Sequence, residues 1–241
     1  MKFLKFGDSK NVMVFLHGWG ADKNSFLWLK DYFVDEWSMI FVDFDGFGDA
    51  PEPSEAMFVR DYAKKLKEIV DEFAPEKLVL VGHSFGGRVA IKFSFLYQNI
   101  YEKLSLVLVD SAGVLPKRNL FYHLKVFRYK GLKRKAMGDK RFEKKLEKFG
   151  SKDYKVLSGV MKQTFVNVVN EDLSRDAKFI KANTIIVWGD RDTETKTYMA
   201  RKLNRLIEGS KLYFLRGCGH FSFLEKKEEF VIILDTFLKN I

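Results

Sequence analysis

Six short apolar runs, separated by stretches long enough for helices, restrict this 241-residue chain to few architectures. The runs are Asn11–Leu16, Ser38–Asp43, Lys77–Val81, Leu104–Val109, Asn183–Trp188 and Lys211–Leu215. Most are apolar throughout and do not alternate, the pattern of strands covered on both faces of a parallel sheet. Helical periodicity fills intervals near Asn24–Glu36, Met57–Phe73, Phe85–Tyr97, Thr197–Ile207 and Lys226–Lys239. Such a βαβα alternation predicts an α/β fold with a mostly parallel, doubly wound sheet. Its ligand sites belong at the carboxyl ends of the strands.

The rhythm breaks between about Ser111 and Lys181, where helical periodicity continues without a convincing strand. Leu120, Leu124 and Phe127 share one helical face, and further helices are expected near Asp139–Phe149 and Lys152–Val169. A helical insertion between two sheet strands is read as a cap over the strand ends. The expected organisation is therefore a core of residues 1–111 and 182–241 with a cap insertion at 112–181.

A chain 46% hydrophobic can bury one large core. No run approaches the roughly 18 apolar residues that span a bilayer, so integral membrane association is not expected. The start, MKFLKFGDSK, lacks a following apolar region with a small-residue cleavage site. Cys218 is the single cysteine, which excludes an intrachain disulfide and fits a reducing cytoplasm. The formal charge of +10 is uneven: residues 116–149 carry 13 Lys or Arg against 3 Asp or Glu, and the remainder is neutral. Such a segment serves as a plain solvated face, or it attracts an acidic partner or anionic substrate. Its amphipathic stretch around Asn119–Lys135 also suits peripheral contact with a membrane surface. No recognition motif accompanies the charge, so nucleic acid is not expected as a partner.

Residues 81–87, VGHSFGG, place Ser84 between Gly82 and Gly86 where a buried strand gives way to a helix. That context suits a serine on a sharp turn with its hydroxyl held out for nucleophilic attack. A serine hydroxyl needs a base. Of four histidines, His17 and His83 adjoin glycines in tight turns and are read as structural, and His123 lies in the basic insertion. His220, in the loop GCGHFSF after the last strand, is the candidate base. Two aspartates compete to orient it. Asp192 in WGDRDT is preferred, Asp110 at the end of Leu104–Val109 is the alternative, and Asp190 is read as a turn residue. The backbone N–H of Phe85, next after the serine, and that of Trp19 in LHGWG are the candidate oxyanion donors. No metal constellation is evident, and HGWG lacks the Lys and Ser/Thr of a phosphate-binding loop, so no cofactor is expected.

Taken together, HGWG at 17–20, DFDGFGDAPEP at 43–53, GHSFGG at 82–87, WGDRD at 188–192 and GCGHFSFLEKKEEF at 217–230 resemble the α/β-hydrolase superfamily. Within it, the likeness is to small cap-bearing esterases and carbon–carbon bond hydrolases. It covers nearly the whole chain outside 112–180. The resemblance implies Ser84 as nucleophile, Asp192 as acid, His220 as base, and Trp19 and Phe85 as oxyanion donors. It implies a small-molecule acyl substrate and hydrolysis of a carboxylic ester. Alternatives are cleavage of a carbon–carbon bond in a vinylogous diketone and a non-catalytic binding role on the same fold. Hydrolases that release a methyl ester from an acyl carrier protein are similar in fold and meet the acidic carrier through a positive cap region. The serine argues against dehalogenases and epoxide hydrolases, and GHSFGG departs from the GNSMGG of many carbon–carbon bond hydrolases.

Overall fold

A computed structural model describes residues 1–117 and 159–241, together with 124, 126–129, 131, 154, 156 and 157. Leu120, His123, the expected helix at Asp139–Phe149 and most of the basic stretch lie outside the described residues.

The strands are β1 (Lys2–Phe6), β2 (Asn11–Leu16), β3 (Ser38–Asp43), β4 (Lys77–His83), β5 (Leu104–Val109), β6 (Asn183–Gly189) and β7 (Lys211–Leu215). They form one sheet in the order β1-β3-β2-β4-β5-β6-β7. Every pairing is parallel except β1 with β3. All six strands expected from the sequence are present: β2 to β6 are apolar runs that the sheet buries, and β7, at the other edge, is an apolar run of which only Leu215 is buried. The expectation missed β1. Its residues KFLKF run along an edge with a mostly exposed burial pattern, so little hydrophobic signal marks it.

A 3-10 segment, Lys23–Leu29, leads into the short helix α1 (Lys30–Phe33). The helices described in full beyond these are α2 (Val59–Phe73), α3 (Phe85–Tyr97), α4 (Gly159–Asn170), α5 (Ser174–Lys178), α6 (Thr197–Leu206), α7 (Ser222–Glu225) and α8 (Lys227–Leu238). Helix α2 shows why the period is legible: Val59, Tyr62, Ala63, Leu66, Ile69 and Val70 are its buried residues, one apolar stripe. Two cores result, one on each face of the sheet. Leu78 and Leu80 of β4 pack into the core beneath α2, α3 and α6, while Val79 and Val81 pack into the one beneath α8. Strand residues still alternate between faces, but both faces meet apolar layers.

Of the expected 112–181 insertion, residues 112–117 and 159–181 are described with the isolated positions above. Helix α4 buries Met161, Thr164 and Val168. Its Thr164 hydroxyl accepts from the Met57 N–H at 3.1 Å, which seats the helix against the segment leading into α2.

Candidate active site

Ser84 occupies the single residue between β4 and α3, with φ 49° and ψ −109°. A non-glycine residue held at positive φ stores about 1–3 kcal/mol of strain, and three neighbouring glycines make the turn possible. A Cβ on Gly82 would lie 2.6 Å from the Gly86 carbonyl oxygen, and one on Gly86 would lie 2.0 Å from that of Leu16. A Cβ on Gly87 would meet the Ser111 hydroxyl at 2.0 Å. The Leu16 obstacle is backbone of a buried strand and cannot swing aside. Gly86→Ala is therefore expected to cost about 3 kcal/mol or more, measured as a lower urea midpoint at unchanged m-value.

His220 lies between β7 and α7. Its Nε2 is 3.0 Å from the Ser84 hydroxyl, and its Nδ1 is 2.8 Å from Asp192 Oδ2. A carboxylate only accepts, so Nδ1 carries the proton and Nε2 presents its lone pair to the serine. The histidine is also held from behind. The His83 Nε2–H donates to the His220 carbonyl at 2.8 Å, tying the end of β4 to the histidine loop. Burial, then the neighbouring His220 charge, pushes His83 down to about 3, which keeps it a neutral donor. Burial also lowers His17, whose Nδ1–H donates to the Gly18 carbonyl at 2.7 Å. Its Nε2 accepts from the Phe44 N–H at 3.2 Å. Both histidines thus serve backbone groups, as expected.

Asp192 reaches the histidine from the loop after β6. Its Oδ1 accepts from the N–H groups of Glu194 (2.8 Å) and Thr195 (3.0 Å), and the Thr195 hydroxyl lies 2.7 Å from Oδ2. Burial pulls the Asp192 pKa upward, but hydrogen bonds from His220 and Thr195 outweigh it and hold the carboxyl below its ordinary range. For His220 the balance is mirrored. Burial lowers it, yet Asp192, Glu194 and Asp110 together keep it above 6.5. Asp190 accepts from the Gly217 N–H at 2.7 Å, a loop-fixing contact.

Asp110 does not touch the histidine ring. Its Oδ1 accepts from the Gly189 N–H at 2.7 Å, and its Oδ2 from the Ser222 N–H and hydroxyl at 3.2 and 2.6 Å. It clamps the ends of β5 and β6 to the segment following His220. Complete burial raises it to about 7 despite those hydrogen bonds.

Local structure orients each of the two candidate backbone donors. Phe85 is the first residue of α3, so its N–H has no carbonyl one turn earlier to bond. The His17 bond fixes the Gly18 carbonyl, and the trans peptide then turns the Trp19 N–H the opposite way. Trp19 and Phe85 pack edge to face with ring centroids 5.3 Å apart. Around Ser84 lies a cavity of about 350 Å³ walled by Trp19, Phe85, Phe165, Val168 and Phe221, with Arg88 and Glu194 as its charged groups among the described residues.

Three residues here escaped the sequence reading. Thr195 and Glu194 stand in the same turn as Asp192, and only the hydrogen bonds reveal them. Arg88 does carry a sequence signal, as a guanidinium interrupting the otherwise apolar first turns of α3, FGGRVAI.

A parallel sheet bearing a serine at a strained strand-to-helix turn, with aspartate and histidine at later strand ends, is an α/β-hydrolase architecture. The chain belongs to the Alpha/beta hydrolase family, whose profile matches residues 13–232. It is 25% identical to the proline iminopeptidase of Thermoplasma volcanium, across 100% of this chain and 93% of that protein. It is likewise 25% identical to the pimeloyl-[acyl-carrier protein] methyl ester esterase of Wigglesworthia glossinidia brevipalpis, across 97% and 96%. Among solved structures, the esterase EaEST from Exiguobacterium antarcticum superposes with a TM-score of 0.75 at 23% identity, covering 98% of this chain and 94% of that one. Among the described residues, no helix is long and apolar enough to cross a membrane.

Proposed function

We propose that this hydrolase cleaves carboxylic esters or closely related acyl compounds through a covalent acyl-enzyme on Ser84. The observation that carries the reading is the continuous relay from Asp192 Oδ2 through His220 to the Ser84 hydroxyl, at 2.8 and 3.0 Å. Ser84 Oγ attacks the substrate carbonyl carbon as its proton passes to His220 Nε2. The oxyanion accepts hydrogen bonds from the Trp19 and Phe85 N–H groups. On collapse the leaving group departs with the proton from Nε2, leaving an ester on Ser84. Water then gives a proton to His220 as it attacks that ester, and the acid is released with Ser84 restored. The relatives named above hydrolyse, by their names, a methyl ester and a peptide bond, both acyl transfers to water. The aromatic wall supplies an apolar seat for an acyl group. Hydrolysis of p-nitrophenyl esters of increasing acyl length, beside fluorophosphonate labelling, tests the proposal. A length optimum with labelling confined to Ser84 supports it; a folded protein that is neither labelled nor active refutes it.

The base works only when neutral. Since His220 titrates above 6.5, kcat/KM on a neutral ester should rise with pH through a limb centred above that value and then level off. Glu194 contributes to the raised value, with Oε2 3.4 Å from Nε2. Glu194→Gln is therefore expected to move the limb to lower pH, and an unmoved limb would remove Glu194 from the electrostatics of the base.

A further inference from the structure

The first five residues of α3 after Ser84 are apolar or glycine except for one arginine. Arg88 is only 6% exposed. It stands four residues after Ser84, about 6 Å farther along the same helix face. Its Nη1 donates to the Glu171 carbonyl at 2.7 Å and its Nη2 to the Val169 carbonyl at 3.4 Å. Val169 and Arg88 both line the cavity that holds Ser84 and His220, so Arg88 belongs to its wall.

Both of those partners are neutral carbonyls, and a guanidinium has five N–H donors to place. Neither of the two nearest carboxylates bonds the guanidinium, and Glu171 Oε2 is buried with no hydrogen-bond partner among the described residues. Glu171 pairs with Lys92 Nζ at 2.9 Å, and Asp172 accepts from the Ser174 hydroxyl at 2.6 Å. Among the described residues, no carboxylate forms an ion pair with Arg88. Burial lowers its pKa to about 10, which leaves it charged at neutral pH. Glu171 and Asp172 act on it through space without pairing directly, so the buried cation remains costly to keep, and an anion entering the cavity would offset that cost. Among the described residues, the cavity's other charged group, Glu194, sits next to His220 with its side chain 68% exposed. Its charge repels an anion from the histidine side and favours the Arg88 side.

We propose that Arg88 is a substrate-binding residue of this cavity, and that the preferred substrates are acyl compounds bearing a carboxylate a few atoms from the scissile carbonyl. The proposal rests on the reading of Ser84 as nucleophile and adds the substrate's charge. The carboxylate takes the guanidinium's remaining donors while the carbonyl lies at Ser84.

The test compares p-nitrophenyl hydrogen adipate with its neutral counterpart p-nitrophenyl hexanoate, each corrected for spontaneous hydrolysis. The readout is the ratio of their kcat/KM values. Wild type should favour the anionic ester by about tenfold or more, and Arg88→Met should lower the ratio about 10- to 100-fold. Arg88→Lys, which keeps the charge and loses the fork, should fall between. The wild-type ratio should hold within about twofold from 0.1 to 0.5 M NaCl, because a buried pair is poorly screened. A wild-type ratio near one, a ratio unchanged in Arg88→Met, or a preference that salt abolishes would each overturn the proposal. The last would assign the preference to surface charge. If Arg88→Met does not fold, inhibition of wild-type hexanoate hydrolysis by adipate and adipamide decides instead. Roughly tenfold tighter inhibition by adipate supports Arg88, and equal inhibition overturns it. Fluorophosphonate labelling of Ser84 without anion preference sinks this proposal alone; absence of labelling sinks both.

Discussion

Ser84→Ala should abolish fluorophosphonate labelling and lower kcat by a factor on the order of 10⁵–10⁶, while the protein stays folded. The hydroxyl is the only group lost. The turn around it is fixed by backbone contacts, with the Ser84 N–H donating to the Val109 carbonyl at 3.1 Å and its carbonyl accepting from Ala112 at 3.0 Å. Alanine keeps those bonds. Thermal melting with and without the substitution separates loss of the nucleophile from loss of the fold. A folded variant that retained wild-type turnover would remove Ser84 from the chemistry.

The second large effect is expected at Asp192. Its Oδ1 is held by two backbone N–H groups, and its Oδ2 faces His220 Nδ1. In Asp192→Asn the side-chain carbonyl must take the position facing the N–H donors, so the amide NH₂ turns toward the histidine. A donor there selects the tautomer with its proton on Nε2, and that nitrogen can no longer accept from Ser84. The expected loss is about 10⁴-fold in kcat, read under saturating ester.

Asp110→Asn provides the contrast. Asp110 binds Gly189 and Ser222 and leaves the histidine ring alone, so kcat should stay within about tenfold while stability falls by about 1–3 kcal/mol. That deficit should itself depend on pH. A carboxyl raised to about 7 when folded favours the folded state below its ordinary 3.8, and that contribution is lost as pH rises through 7. The stability gap between wild type and variant should therefore be wider at pH 5 than at pH 8. If Asp110→Asn proves the more damaging to kcat, the role of acid moves to Asp110.

Local chemistry explains what could be read in advance. Buried parallel strands must be apolar on both faces, so β2 to β6 show themselves as unbroken runs, and the partly buried edge β7 still keeps the apolar run LYFL. An amphipathic helix repeats its stripe, so α2 and α6 fall within two residues of expectation at either end. The edge strand β1 obeys neither rule, having one neighbour and lysines toward solvent. Ser84, with its flanking glycines, is legible because its strained turn demands a particular residue at each step.

The rest is decided by distance across the fold. From the sequence, Asp192 is preferred over Asp110 because it lies far enough past its strand to turn back toward the histidine loop, but chain length does not fix which carboxylate reaches the ring. In the structure, the turn held by the Glu194 and Thr195 N–H groups aims Asp192 at Nδ1, while Gly189 and Ser222 occupy Asp110. Arg88 likewise looks like a helix residue until α4 and the chain after it bring the Val169 and Glu171 carbonyls to its guanidinium. The sequence determined the six apolar strands, the main flanking helices and the serine turn, because each shows itself in residues a few positions apart. Tertiary structure alone decided which acid meets the histidine and which charges wall the cavity, because burial and pairing depend on atoms brought together from distant parts of the chain.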